Sequence, residues 1–227
     1  MVIFMAEPQI KYRYERKYLI PKNNLQDFIR TIFSLGFSSM YPVRRINNIY
    51  FDNYDFSSAI QNIEGLSERK KYRIRWYGSK FANSTKVIEI KIKEEFLNKK
   101  ENLKIPSIRL DSMDNVNPFY NKIKNQIYKT GSYKIYNLMN RRIPTLFNSY
   151  ERMYFVDIQK NIRITVDSNL EFFSPITKLS FREKFIIIEA KYDIDTTFIN
   201  HFNNLSYTRY SKYVKGILQT NSFNSSY

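Results

Sequence analysis

The chain has 227 residues, with 37 Lys and Arg against 21 Asp and Glu, a formal net charge of +16 and a pI near 9.8. A surplus of this size calls for an anionic partner: nucleic acid, an anionic membrane surface or a phosphate-rich substrate. With no Cys and one His the sequence excludes disulfides, thiolate zinc sites and thiol nucleophiles, which leaves carboxylates, basic groups and oxygen-liganded metal to carry any chemistry.

In chain order, a short leader with the apolar Val2-Ile3-Phe4-Met5 precedes a first strand, Lys11 to Ile20, whose alternation puts Lys11, Arg13, Glu15 and Lys17 on one face. Pro21 stops it. Asn24 is placed to cap a helix through about Leu35 with the apolar stripe Leu25, Phe28, Ile29, Ile32 and Phe33, and Gly36 ends that helix. Tyr41 to Asp52 reads as a second strand and Tyr54 to Ile63 as a short helical stretch. In Lys71-Tyr72-Arg73-Ile74-Arg75-Trp76-Tyr77 the alternation is strict, with Lys71, Arg73, Arg75 and Tyr77 opposite Tyr72, Ile74 and Trp76. Like charges on one short face repel and need relief. A guanidinium presents fixed pairs of donors that match phosphate oxygens, so a ligand can supply that relief.

Lys86 to Lys93 closes a hairpin with this strand, Glu89, Lys91 and Lys93 facing one way and Ile88, Ile90 and Ile92 the other. Residues 94 to 111, with Lys99, Lys100 and Lys104, read as a charged irregular connection. Asn117-Pro118 opens a helix to about Lys129, Gly131 ends it, and a shorter helix runs to about Met139. A second hairpin joins Leu146–Val156, with Tyr150, Arg152 and Tyr154 on one face, to Asn161–Asp167, with Arg163, Thr165 and Asp167 on one face. Phe185 to Tyr192 is the last strong strand, with Glu189 and Lys191 sharing a face. Asp195 is placed to cap a helix to about Leu205 that carries His201 as a surface or capping residue, and Ser211 to Thr220 forms a final short helix. Repeats and Pro/Gly/Ser linkers are absent, which predicts one domain over residues 1–227. No run approaches the roughly 18 to 20 apolar residues needed to span a bilayer, so a soluble, cytoplasmic protein is expected.

Charged faces that recur on six strands fit two architectures. An open antiparallel sheet shows such faces to water, whereas a closed barrel turns them inward around a wet lumen; a lumen is favoured by the clustering of Arg and Lys with a few Glu. Phosphoryl transfer matches these residue types, because it needs cations around the phosphates and a divalent metal on carboxylate and phosphate oxygens, but little covalent work from the protein. A Gly-rich Walker loop is absent.

The ordered set Tyr14-Glu15-Arg16-Lys17-Tyr18, Ile49-Tyr50-Phe51-Asp52, Arg73-Ile74-Arg75-Trp76-Tyr77-Gly78, Glu89-Ile90-Lys91, Tyr150-Glu151-Arg152, Arg163-Ile164-Thr165-Val166-Asp167, Ile188-Glu189-Ala190-Lys191 and Ser211-Lys212-Tyr213 resembles the polyphosphate-polymerase (VTC) domain of the vacuolar transporter chaperone family, a CYTH-like branch of the triphosphate tunnel metalloenzymes. The resemblance runs from about residue 11 to 218 and implies an α+β fold: an eight-stranded antiparallel β-barrel tunnel with surrounding helices and a C-terminal closing helix. It implies a metal-dependent ATP:polyphosphate phosphotransferase in which Lys17, Arg73, Arg75, Lys91, Arg152, Arg163 and Glu189 are catalytic. Phosphate would be bound by Lys17, Arg73, Arg75, Lys91, Tyr150, Arg152, Arg163, Lys191, Arg209, Ser211 and Lys212. Mn or Mg would sit on Glu189, with Glu15 and Glu89 as further candidates, and the partners would be ATP and inorganic polyphosphate rather than nucleic acid. Arg13 stands where the wider superfamily often has a carboxylate, Arg209 where a Lys is usual, and Asn62 near an expected basic residue. The absent carboxylate points away from the hydrolase and cyclase branches. A tunnel triphosphatase and a non-catalytic polyanion-binding module are the two alternative readings.

Overall fold

Alternating strands dominate the computed structural model, which describes residues 13–95, 97–159, 161–193, 202 and 204–221. The strands are β1 (Arg13–Pro21), β2 (Ser38–Asp52), β3 (Arg69–Tyr77), β4 (Ser84–Glu94), β5 (Leu97–Ile108), β6 (Ile143–Asp157), β7 (Ile162–Phe173), β8 (Ser180–Arg182), β9 (Phe185–Asp193) and β10 (Ser206–Tyr207). The α-helices among the described residues are α1 (Leu25–Ser34), α2 (Ser57–Ile63), α3 (Asn117–Lys129), α4 (Tyr133–Asn140) and α5 (Lys212–Thr220). The strand pairs β1–β9, β2–β3, β3–β4 and β4–β5 are antiparallel, so the protein is an antiparallel sheet-rich α+β fold. The expected helix from Asp195, and His201 with it, lies outside the described residues.

Two expectations are corrected. The hydrogen-bonded order runs β10-β1-β9-β7-β6-β2-β3-β4-β5, with β8 on β7; among the described residues this is an open ten-stranded sheet and not a closed eight-stranded barrel. Alternation fixes which side of a strand is buried but says nothing about whether the outer strands meet. The connection read as irregular over residues 94 to 111 is instead mostly β5, paired along β4 from Glu94↔Leu97 to Ser84↔Ile108. Charge on both of its faces hides the alternation, and Pro106 breaks the strand pattern. The register slips between Ser84↔Ile108 and Lys86↔Ile105, which puts Pro106 in a bulge on the terminal strand of the path, where a residue with no N–H to donate is tolerated.

The described residues fall into two compact units, divided along the chain as Met1–Pro42, Met153–Val166 and Phe185–Arg209 for the first and Val43–Arg152, Asp167–Lys184 and Tyr210–Tyr227 for the second. In the first unit Tyr18 and Ile20 of β1, Phe28 and Ile32 of α1, Ile162, Ile164 and Val166 of β7, and Ile186, Ile188 and Ala190 of β9 form the core. Phe28 and Ile32 sit one turn apart on the face of α1 that the sequence stripe marks. Asn24 occupies the expected cap position without a side-chain cap bond.

In the second unit alternate residues along part of β2, β3 and β4 are apolar and buried: Ile49 and Phe51, then Tyr72, Ile74 and Trp76, then Ile88, Ile90 and Ile92. These pack with Phe119, Tyr120, Ile123 and Ile127 of α3 and with Ile135 and Met139 of α4. Burying a side chain of this size contributes about 1.5–3 kcal/mol, so this face commits the strands to one register. A one-residue slip would carry the arginines into the core.

Candidate functional site

Register then decides what the other face of the second unit presents. Tyr50 of β2 lies opposite Arg73 of β3, and Asn48 lies opposite Arg75. Arg73 in turn opposes Glu89 of β4, and Lys71 opposes Lys91. Directly paired residues share a face, so the cations of β3 and their neighbours form one polar surface.

Glu89, with a side chain 8 % exposed, is the first anionic centre of that surface. Arg73 Nε donates to its Oε2 at 2.5 Å and Arg73 Nη2 reaches the same oxygen. Arg75 Nη1 stands 3.7 Å from Oε2, and Lys100 Nζ lies 2.9 Å from Oε1. Lys100 arrives diagonally from β5, where Asn102 is the residue directly opposite Glu89. Burial pushes the Glu89 carboxyl up, but Arg73, Arg75 and Lys100 outweigh it and hold the pKa at about 2.

Asp167 of β7 is the second centre and is only 1 % exposed. Arg152 of β6 grips it with two donors, Nε to Oδ1 at 2.5 Å and Nη2 to Oδ2 at 2.7 Å. Lys212, the first residue of α5, places Nζ 2.5 Å from Oδ2. Burial again opposes ionisation, and Lys212 and Arg152 again win, with the pKa at about 2. The ring of Tyr150 lies beneath both cations, its centre 4.8 Å from Lys212 Nζ and 5.3 Å from the Arg152 guanidinium carbon.

Three consecutive residues seat α5 over this surface. Ser211 caps the helix by accepting from Val214 N at 3.5 Å and accepts from Lys71 Nζ at 3.0 Å. Lys212 binds Asp167. Tyr213 donates to Asp52 Oδ2 at 2.5 Å and stacks on Tyr50 with ring centres 4.9 Å apart. Asp52 is itself fixed by the backbone N–H groups of Ser58 and Ala59 at the start of α2, both at 2.9 Å. Close approach of the helix depends on Gly216, where a Cβ would stand 2.4 Å from Leu146 Cδ2 and 2.6 Å from Phe172 Cδ1. Tyr50 is buried; that burial raises its pKa, but Arg73, Arg75 and Lys212 bring it below the usual tyrosine value. Arg75 Nε donates to Asn48 Oδ1 at 2.8 Å, and Asn48 Nδ2 donates to Asn148 Oδ1 at 2.7 Å.

The first unit carries a balanced cluster of its own. Glu15 opposes Lys191 and Lys17 opposes Glu189 across β1 and β9. Lys17 reaches Glu15 at 3.0 Å and Glu189 at 3.9 Å, and Lys191 reaches Glu15 at 3.2 Å and Glu189 at 3.1 Å. Burial raises the Glu15 pKa, but Lys17 and Lys191 draw it down to about 2. Burial lowers that of Lys191, and Glu189 and Glu15 more than restore it, so that it ends above the usual lysine value. Two carboxylates of this kind suit Mg or Mn that takes its other ligands from phosphate oxygens and water. No group of three or more Asp, Glu, His or Cys placed to hold a metal occurs among the described residues. Glu89 has both oxygens committed to cations.

A family profile described as the VTC domain matches residues 12–221. The chain belongs to the VTC domain family. Among solved structures this VTC domain is similar to a candidate adenylate cyclase from Vibrio parahaemolyticus, with 14% identity over 92% of this chain and 99% of that one and a TM-score of 0.49. It is also similar to one from Bacillus halodurans, with 13% identity over 88% and 94% and a TM-score of 0.49, and to a protein from Pyrococcus horikoshii OT3, with 11% identity over 91% and 98% and a TM-score of 0.44. No curated protein matches the chain. No helix among the described residues is long and apolar enough to cross a membrane.

Of the residues that the sequence of this VTC domain marks, the second unit gathers Arg73, Arg75, Glu89, Tyr150, Arg152, Ser211 and Lys212, with Lys91 exposed on the same strand as Glu89. Glu15, Lys17, Glu189 and Lys191 meet in the first unit, where Arg163 on β7 and Arg209 beyond β10 are both exposed. Sequence reasoning missed Tyr50, Asp52, Lys100 and the central part played by Asp167. Asp167 carried a signal, since it sits on a charged strand face two positions beyond Thr165, whereas Lys100 lay in a segment whose strand was not recognised. Asn62, near an expected basic position, donates to Ser58 O at 2.7 Å within α2.

Proposed function

We propose that this VTC domain is a metal-dependent polyphosphate polymerase that transfers the γ-phosphoryl group of ATP to the end of a growing inorganic polyphosphate chain and releases ADP. The observation that carries this reading is the polar surface of the second unit, where Arg73, Arg75, Lys100, Arg152 and Lys212 outnumber the carboxylates Glu89 and Asp167. Membership of the VTC domain family supports it.

Phosphoryl transfer is catalysed chiefly by placing cations on the charged oxygens and aligning attacking and leaving groups. Arg73 and Arg152 offer paired donors suited to a phosphate edge, and Arg75 and Lys212 add charge next to each of them. A terminal oxygen of the chain attacks the γ-phosphorus, the bond to the β-phosphate oxygen breaks, and ADP leaves; no side-chain nucleophile is needed. Glu189 with Glu15 would hold Mn or Mg, and the bound metal would supply positive charge that offsets the charge of the phosphates. Buried Tyr50 and Tyr150 pack against the cations and keep them from swinging into solvent. ATP and polyphosphate are the partners in this reading, and the cytoplasm is its setting.

Incubation of the purified protein with ATP and Mn, resolved on a polyphosphate gel beside ADP and orthophosphate assays, tests it. A ladder of long polymer with matching ADP is expected, and Arg73→Ala and Arg152→Ala should abolish it. Orthophosphate without polymer would replace the polymerase by a triphosphatase, and no turnover would leave only an anion-binding module.

A further inference from the structure

The cations of the second unit are not waiting with open hands. Arg73 spends Nε and Nη2 on Glu89, and Arg152 spends Nε and Nη2 on Asp167, so in each case the paired donors that suit a phosphate edge are turned onto a carboxylate. Lys100 and Lys212 complete the two clusters from β5 and α5. A carboxylate and a phosphate edge offer a guanidinium the same pair of oxygens. Both therefore compete for the same N–H groups.

We propose that Glu89 and Asp167 are internal counter-anions, which occupy the phosphate-gripping donors in the empty site and yield them when a polyanion binds, so that together they set a charge threshold favouring oligophosphate over orthophosphate. The inference rests on the reading of this surface as the polymerase's phosphate grip. Five cations share two carboxylates, so the empty clusters keep a positive excess that draws in an anion, while the carboxylates discount the gain from any single phosphate group. A ligand with one phosphate can replace one carboxylate at little advantage. A chain of phosphates engages both clusters and collects the excess as well. The carboxylates also remain to take back the donors when product leaves, so release does not strand bare, half-buried cations.

A merely positioning role predicts the opposite response to neutralisation, which makes the two separable. Binding of inorganic triphosphate and of orthophosphate would be measured by titration calorimetry on the metal-free wild type, Glu89→Gln and Asp167→Asn. Each variant should bind triphosphate at least about tenfold tighter, a gain matching removal of one competing charge near the ligand, and should gain more for orthophosphate, so that the preference between them narrows. In turnover, KM for ATP and kcat should fall together, because tighter ground-state binding slows release. Unchanged or weaker triphosphate binding in the folded variants, or a rise in KM, would overturn the proposal and leave the carboxylates as supports. If Asp167→Asn does not fold, Glu89→Gln decides, with charge-retaining Glu89→Asp expected to return toward wild-type affinity. Triphosphate binding by none of the three proteins would overturn the polymerase reading as well.

Discussion

Asp167→Asn probes how the polar face of the second unit is held together in the empty protein. The change keeps the volume and one acceptor but removes a charge that is 1 % exposed and holds Arg152 and Lys212, whose side chains are 14 % and 13 % exposed. Two magnitudes bear on the cost. The fall in pKa from 3.8 to about 2 corresponds to about 2 kcal/mol of preference for the charged form. Breaking a buried pair by removing one partner costs about 3–5 kcal/mol, because that figure also counts the cations left behind. The lower end applies here, since Asn retains a dipole and neither cation is fully buried; we expect a loss of about 2–3 kcal/mol. For a chain of this length that lowers the melting temperature by roughly 4 to 12 °C. Thermal unfolding followed by circular dichroism at neutral pH and low salt measures it. Lys212→Met added to Asp167→Asn should recover part of the loss, as one uncompensated cation disappears. A loss under about 0.5 kcal/mol, the worth of an exposed ion pair, would refute the view that this triad is a buried structural unit.

Gly216→Ala should destabilise the protein by about 1–3 kcal/mol through overpacking, although alanine is the better helix former, because the new methyl meets Leu146 and Phe172. Turnover should fall further than stability alone accounts for, since a lifted α5 carries Lys212 away from Asp167; a melting temperature at or above wild type would show that the helix has room. Acid stability should follow the carboxylates. Glu15, Glu89 and Asp167 all have folded pKa values near 2, below their ordinary 4.5, 4.5 and 3.8. Their contribution is therefore complete above about pH 5 and is lost as pH falls toward 2. Urea unfolding midpoints between pH 2 and 7 should show that fall in the wild type and a shallower one in Glu89→Gln.

Period-two alternation made most strands and both faces of β3 legible, because burial of Tyr72, Ile74 and Trp76 leaves Arg73 and Arg75 only one side to occupy. The same reasoning failed for β5, where Lys99 and Glu101 stand on the face shared with Leu103 and Ile105, at the strand's more exposed end. It failed too for closure of the sheet, a property of strand ends and edges that no side-chain pattern records. Tyr50 and Asp52 lay within a motif that the sequence made visible, but their tasks depend on α5, and contacts between residues 52 and 213 leave no periodic trace. Asp167 shows the limit most plainly: alternation assigns it a face, and only the fold supplies Arg152 and Lys212.

The two clusters differ in balance, and that difference constrains the metal. In the first unit Glu15 and Glu189 face Lys17 and Lys191, two charges of each sign, every carboxylate already touched by both ammonium groups. A divalent cation arriving alone meets carboxylates whose charge is neutralised, and it must push against two lysines. In the polymerase reading it would arrive with ATP, whose phosphate oxygens would complete its ligand shell and give the lysines a new partner. Metal affinity should therefore rise by at least about tenfold when the non-hydrolysable imido analogue of ATP is present, a coupling toward the lower end of the range usual between two ligands. Mn electron paramagnetic resonance titrations, corrected for Mn bound by free nucleotide, measure this without turnover. Glu189→Gln should abolish the coupling and leave the melting temperature close to wild type, whereas Lys17→Met should raise Mn affinity without nucleotide by removing one of the two ammonium groups that neutralise the carboxylates. Equal Mn binding with and without nucleotide, undisturbed by Glu189→Gln, would place the metal elsewhere and remove Glu15 and Glu189 from its coordination.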